Sequence, residues 1–328
     1  MVSVTQRIRQ VKQPRGGYIH PKTMEVRYLG SGGVAAVVDH TLENVHASLV
    51  GLAVDYLTRS ALGRPAAEVF TVSVAAAGRL GDDWRGYALD LCDLIEGSRG
   101  RVLALPNDES ARHALPNPKN PNWATDREVY LVPDDEAIKA AIKLASFDVI
   151  FRAGMAAYNP DARTDPDAIT REHIAEMIAA SLAFAWEYGP VLVDGFTMLG
   201  GYTKTVDTGD GDFVTRDTLW DFKVSVNPPT KDDTLQLLMY WLMARRSDWN
   251  WRPTWHWDHS TSEPDWLEAW DLDDYLLKNR AWPDDLRGPA PTHIGVYNPR
   301  LDAIYRLAVD GIPADVIEEV SREVIGYV

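Results

Sequence analysis

The chain has 328 residues, of which 45% are hydrophobic and 25% charged; its formal net charge is −15 and it has one cysteine, Cys92. That length is a prior for one large domain or two modest ones with a core that needs no staples, and the composition excludes a disordered polyelectrolyte. A single cysteine excludes a disulfide framework, a cysteine-rich zinc site and a four-cysteine iron–sulfur cluster.

The first residues, MVSVTQRIRQVKQPRGG, have no apolar h-region and no cleavage site, so they do not read as a signal peptide. No apolar run approaches ~18 residues, the length needed to cross a bilayer. The expectation is a soluble, cytoplasmic protein with no membrane partner. The net charge argues against a protein that coats nucleic acid by bulk attraction. Residues 1–40 nevertheless read as a basic arm with one or two short strands. Within residues 1–28, Arg7, Arg9, Lys12, Arg15, Lys22 and Arg27 stand against Glu25 alone. Arg7, Arg9, Lys12 and Arg15 are candidate nucleic-acid contacts; the plainer alternative is a solvated segment.

The region 41–186 reads as mostly helical. Val45, Leu49, Leu52 and Tyr56 recur at helical spacing over about 43–61. Helical patterns follow near 66–77 and 83–96. Residues 101–133 hold five prolines and read as a long loop. An acidic first turn starts a helix over about 134–150. Residues 152–167 are irregular, and DAITREHIAEMIAASLAFAWEYGP reads as a helix from about 167 to 188, capped by Asp167 or Thr170 and stopped by Gly189-Pro190.

The period then changes. VLVDGFTMLG, GYTKTV, GDFVT and TLWDFKVS are short, β-rich and separated by turns, which predicts a meander. A helix follows over about 232–246. Residues 248–291 form an insertion that carries seven of the twelve tryptophans, readable as a satellite core or as stacking surfaces for unpaired bases. THIGVYNPRLDAIYRLAV predicts a two-strand hairpin, and PADVIEEVSREVIGY a closing helix in the C-terminal segment 311–328. Helices followed by strands imply an α/β or α+β fold.

The chemistry concentrates in GDGDFVTRDTLWDFKVS. With Arg216-Asp217 as a two-residue turn, Asp212 faces Asp221 and Phe213 pairs with Trp220. Alternation sets Asp221 and Lys223 on one face and Trp220, Phe222 and Val224 on the other. Two opposed carboxylates destabilise a sheet unless something offsets them. A divalent cation with oxygen ligands is the obvious candidate. On the following helix, Gln236 and Tyr240 are four apart and share a face. The plain alternative is a solvated acidic turn, with Lys223 in a surface pair, Gln236 exposed and Tyr240 in the core.

Taken in order, Asp212, Asp221-Phe222-Lys223, and Gln236 with Tyr240 resemble the PD-(D/E)XK nuclease superfamily, most closely its RecB-like branch. The resemblance covers about residues 187–300. It implies a restriction-endonuclease-like α/β core of helix, three-stranded meander, helix and strand at about 187–310. It also implies a metal-dependent nuclease, acting on DNA by the nature of the family, in recombination, repair or defence against foreign DNA. Asp212, Asp221 and the Phe222 carbonyl would hold Mg²⁺ or Mn²⁺. Lys223 would orient or deprotonate the attacking water, and Gln236 and Tyr240 would support the site. The family's first acidic ligand maps to Glu187, with Glu176 or Asp55 as alternatives. The family's helical His-x-x-x-Glu pattern is only half present: His46 has the placement, but Val50 stands where the Glu belongs. The rival expectation is a non-catalytic nucleic-acid-binding or scaffolding subunit that keeps the fold. A protein partner or a homo-oligomer fits either reading. A phosphoesterase acting on a small molecule is a third reading.

Three other features carry less. Trp255-His256-Trp257-Asp258-His259 offers two imidazoles near a carboxylate without the context of a zinc site. Gly30–Gly33 lacks the Gly-Lys-Ser/Thr of a triphosphate loop. Cys92 lies in an apolar helical pattern and reads as packed.

Overall fold

The computed structural model describes residues 2–29, 39–106, 127–160, 164–189, 191–198, 200–249, 252–253 and 290–328. The Trp255–His259 cluster, the 30–33 glycine turn and most of the tryptophan-rich insertion lie outside these residues. Among the described residues no helix is long and apolar enough to cross a membrane.

The fold is mixed α/β. The N-terminal segment is packed onto the body. Helix α1 (Val4–Gln10) opens with a capping box between Ser3 and Gln6. Val4, Ile8, Ile19 and Met24 are buried, and strand β1 (Glu25–Tyr28) forms a sheet edge. The helical region follows as α2 (Ala47–Ala61), α3 (Ala66–Val69), α4 (Thr71–Gly78), α5 (Asp82–Glu96), α6 (Asp135–Ala145) and α7 (Asp148–Ala153). The proline-bearing stretch read as a loop begins and ends as strands: β2 (Arg101–Pro106) pairs antiparallel with β3 (Arg127–Val132). Asp148 is buried where these helices meet, accepting hydrogen bonds from Tyr56 Oη at 2.7 Å and Ser73 Oγ at 2.5 Å.

Helix α8 (Ala168–Tyr188) is capped by Asp167, whose side chain accepts from Thr170 N at 2.8 Å. Its Ile174, Met177, Ile178 and Leu182 pack into the helical core, and its last turns pack Phe184 and Tyr188 on the sheet. Then come β4 (Val193–Thr197), β5 (Asp210–Val214), β6 (Thr218–Phe222), α9 (Lys231–Arg246), β7 (Arg252–Pro253), β8 (His293–Asn298) and β9 (Ala303–Ala308). A last helix, α10 (Ala314–Glu319), runs on into a wider turn over Val320–Ile325.

Seven strands form one sheet in the order β1-β9-β8-β6-β5-β4-β7. β4, β5 and β6 are an antiparallel meander, and Phe213 pairs with Trp220 across the Arg216-Asp217 turn. β6 and β8 are parallel, and α9 lies in the crossover that such a pair requires. The two faces of the sheet are covered differently. Leu219, Ile294 and Val296 pack with α9; Phe213, Trp220, Tyr297 and Ile304 pack with Phe184 of α8.

Candidate active site

The carboxyl end of β6 is where the acidic residues gather. Trp220 is fully buried toward α8, so Asp221, next along the strand, points to the α9 side and is 2% exposed. Asp212 on β5 reaches across the pair, its Oδ2 accepting from Phe222 N at 2.7 Å. Thr230 and Asp233 form a capping box that starts α9 beside this point, and one turn in, Gln236 is the hub. Its Nε2 donates to Asp221 Oδ1 at 3.2 Å and to Tyr240 Oη at 3.0 Å, and its Oε1 accepts from Lys223 Nζ at 3.3 Å. Lys223 Nζ also stands 3.1 Å from Asp221 Oδ2 and 3.8 Å from Asp233 Oδ1. The four-residue spacing of Gln236 and Tyr240 is what lets one amide bridge both.

Two residues reach the cluster from α2. Arg59 pairs with Asp55 one turn earlier, Nε–Oδ1 2.9 Å and Nη2–Oδ2 2.9 Å, and its Nη2 is 3.8 Å from Asp212 Oδ1. Asp194 on β4 is held by Arg64 at 2.8 Å. Asp55, Arg59, Arg64, Asp194, Asp210 and Asp212 all border a cavity of about 130 Å³ on this side.

Burial and crowding set the electrostatics. Desolvation pushes the Asp221 carboxyl up to about 7, with Lys223 pulling it down and Asp212 adding to the rise. Asp55 is pushed up to about 6 by the same cause, against Arg59. Burial works to lower the Lys223 ammonium, but Asp221, Asp212 and Asp233 outweigh it and hold it above its ordinary value. Six carboxylates (Asp55, Asp194, Asp210, Asp212, Asp221 and Asp233) thus surround three cations (Arg59, Arg64 and Lys223). That surplus favours an added cation. Asp221 Oδ2 is buried, and the Lys223 ammonium at 3.1 Å is its ion-pair partner. A buried carboxylate oxygen paired with Lys223, a second carboxylate on the neighbouring strand and a strand carbonyl make a donor set that suits a hard divalent ion. Among the described residues no group of three acidic, histidine or cysteine side chains is placed to hold a metal ion. The site offers two strand carboxylates; Asp55 and Asp194 are tied to arginines, and Asp233 to the α9 cap and Lys223.

Asp212, Asp221, Phe222, Lys223, Gln236 and Tyr240 are therefore brought together. Other candidates lie elsewhere. Glu187 ion-pairs with Arg27 on β1, and Glu176 with Arg101 at 2.5 Å; neither joins the cluster, and Asp55 is the alternative that does. His46 caps α2, its Nδ1 accepting from Ser48 N at 3.3 Å, and Val50 is core. Arg7 is engaged inside the protein, donating from Nε to Val324 O and from an Nη to Glu323 O, each at 2.8 Å; its guanidinium satisfies carbonyls of the C-terminal helical segment. Arg9, Lys12 and Arg15 are exposed. Cys92 is buried, and burial together with Asp93 and Glu96 pushes its thiol up to about 12, which leaves it unreactive at neutral pH. Sequence reasoning missed Arg59, Arg64, Asp194 and Asp233. The Asp55-x-x-x-Arg59 spacing was an available signal; Asp194 had none beyond its place at the head of the meander. No known protein family, curated protein or solved structure matches the chain.

Proposed function

We propose that the chain is a metal-dependent nuclease of the PD-(D/E)XK type, acting on phosphodiester bonds of nucleic acid, DNA first among them. One observation carries this reading: a single residue, Gln236, is hydrogen-bonded to Asp221, Lys223 and Tyr240 at once, with Asp212 adjacent on the neighbouring strand. The order α8, β4-β5-β6, α9, β8 supports a restriction-endonuclease-like core. When bound, Mg²⁺ or Mn²⁺ supplies a water of lowered pKa and a charge that offsets the one building on the phosphate. Asp212, Asp221 and the Phe222 carbonyl would hold the ion. Lys223, kept protonated by three carboxylates, would orient the attacking water and neutralise the scissile phosphate. Gln236 would keep Lys223 and Asp221 in register, with Tyr240 fixing the amide. A cytoplasmic setting, in recombination, repair or defence against foreign DNA, belongs to the same proposal, as does a protein partner or a homo-oligomer.

The test is cleavage of linear duplex, circular duplex, single-stranded DNA and RNA in Mg²⁺, Mn²⁺ or EDTA, wild type beside Asp221→Ala. Cleavage that needs metal and disappears in the variant is expected. Undiminished cleavage by a folded Asp221→Ala would sink the assignment. A second reading, a nucleic-acid-binding subunit that keeps the architecture without the chemistry, is favoured by the pairing of Asp55 with Arg59 and Asp194 with Arg64. Metal-independent binding of the same substrates with no cleavage would select it.

A further inference from the structure

Arg59 has a position that hydrolysis by two strand carboxylates and a lysine does not require. Its guanidinium makes two bonds to Asp55, lies 3.8 Å from Asp212 and rests over the Phe213 ring at 5.2 Å, with 13% of the side chain exposed. Asp212 is divided between two partners: Oδ2 accepts from the Phe222 amide, and Oδ1 faces Arg59. Arg59 also lines the wall of the cavity that reaches Asp212. Burial works against its charge, yet Asp55, Asp194 and Asp212 outweigh it and hold the guanidinium protonated.

Building on the nuclease reading, we infer that Arg59 is a positioning residue that competes with the divalent cation. Its guanidinium neutralises Asp55 and Asp212, and an entering ion displaces it and releases Asp55 as a third carboxylate. A planar fork with two bonds to one carboxylate holds that carboxylate in place more firmly than a lysine would. A unit charge a few ångströms from a divalent ion opposes it strongly at the effective dielectric of a protein interior. The pairing on α2 therefore sets the affinity of the site, where among the described residues no three acidic, histidine or cysteine side chains are placed to hold an ion.

The test reads metal binding, independent of turnover. Mn²⁺ affinity is measured by calorimetry on the full chain for wild type, Arg59→Gln, Arg59→Lys and Asp221→Asn. Arg59→Gln is expected to bind Mn²⁺ about ten-fold or more tightly; Arg59→Lys, which keeps the charge but loses the two-bond fork, should fall between wild type and Arg59→Gln, and Asp221→Asn should bind much more weakly. A role in holding the fold together would not tighten binding. Equal or weaker affinity in a folded Arg59→Gln overturns the inference and leaves the nuclease reading standing. No Mn²⁺ binding by any form overturns both. Should Arg59→Gln fail to fold, ¹⁵N-arginine spectra of the wild type decide. Mg²⁺ must shift the Arg59 Nε–H resonance, and an unmoved resonance under saturating Mg²⁺ overturns the inference.

Discussion

Asp221 illustrates how a single buried carboxyl ties pH, stability and metal binding together. Its pKa rises from an ordinary carboxylate value to about 7, chiefly because burial disfavours the charge. The folded protein therefore binds this proton more tightly than the unfolded chain does. Between about pH 4 and 7 the native state carries the extra proton, and the contribution of the group to stability is lost as pH rises through that window. Asp221→Asn keeps the shape and removes the titration. In EDTA, the stability of wild type relative to Asp221→Asn should fall from pH 5 to pH 8, by on the order of 1 kcal/mol or more. Urea denaturation at several pH values reads the difference, and parallel pH profiles would contradict it. Mn²⁺ affinity of the wild type should rise across the same window, since the ion must displace the proton. The opposition of Asp212 to Asp221 and the shared face of Gln236 and Tyr240 were legible because strand and helix periods are local rules. The Asp55–Arg59 pair was legible as a helical spacing, but its place at the site was not, because only tertiary packing brings α2 and the Arg64 turn that follows it there.

At the scale of elements, the fit between β6 and β8 decides whether the strand that carries Asp221 sits correctly. Trp220 is fully buried, with its Nε1 donating to Thr215 Oγ1 at 2.9 Å, and its indole lies across the neighbouring strand at Gly295. A Cβ on Gly295 would stand 2.3 Å from Trp220 Cζ3 and 3.0 Å from Tyr305 O. Neither neighbour can give way, because Trp220 also packs edge-on against Phe184 and Tyr188. Gly295→Ala should cost about 2–3 kcal/mol by overpacking, whereas Gly311→Ala, which meets nothing within 4 Å, should stay within about 0.5 kcal/mol. Chemical denaturation of the pair checks this, and equal stabilities would mean that the indole shifts freely. The meander, α8 and α9 were readable because their periods are strong and their turns local. β2 and β3 were not, since the 20 residues between them leave no short-range hairpin signal. A short strand in the N-terminal arm was expected, but its pairing was not readable, since β1's four residues are exposed without alternation and its partner, β9, comes from the far end of the chain.

Across the whole molecule, α8 joins what the sequence divides. The boundary expected between residues 186 and 187 falls inside this helix, which is apolar on nearly every side because it packs on the N-terminal helices and on the sheet. A buried clamp reinforces that junction. Arg300, in the β8–β9 turn and 2% exposed, donates to both Glu43 carboxylate oxygens at 2.6 and 3.1 Å. His173 of α8 stands 2.9 Å from the same carboxylate. The next residue, Asn44, accepts from Asp167 N at 2.9 Å, so the segment before α2 grips both α8 and the sheet. Removing one charge of a buried pair strands the other, at about 3–5 kcal/mol, while replacing both with apolar groups of similar volume costs far less. Arg300→Met and Glu43→Met should each destabilise by an amount in that range. The double variant should lose clearly less than the sum, a coupling of about 1–3 kcal/mol for residues in direct contact. A urea-denaturation double-mutant cycle measures it. Strict additivity would mean that the junction depends on the apolar packing of α8 and that the clamp adds nothing to it. A large coupling would make Glu43–Arg300 the link through which the sheet bearing Asp221 holds the helical layer, and with it the helix that carries Arg59 to the site.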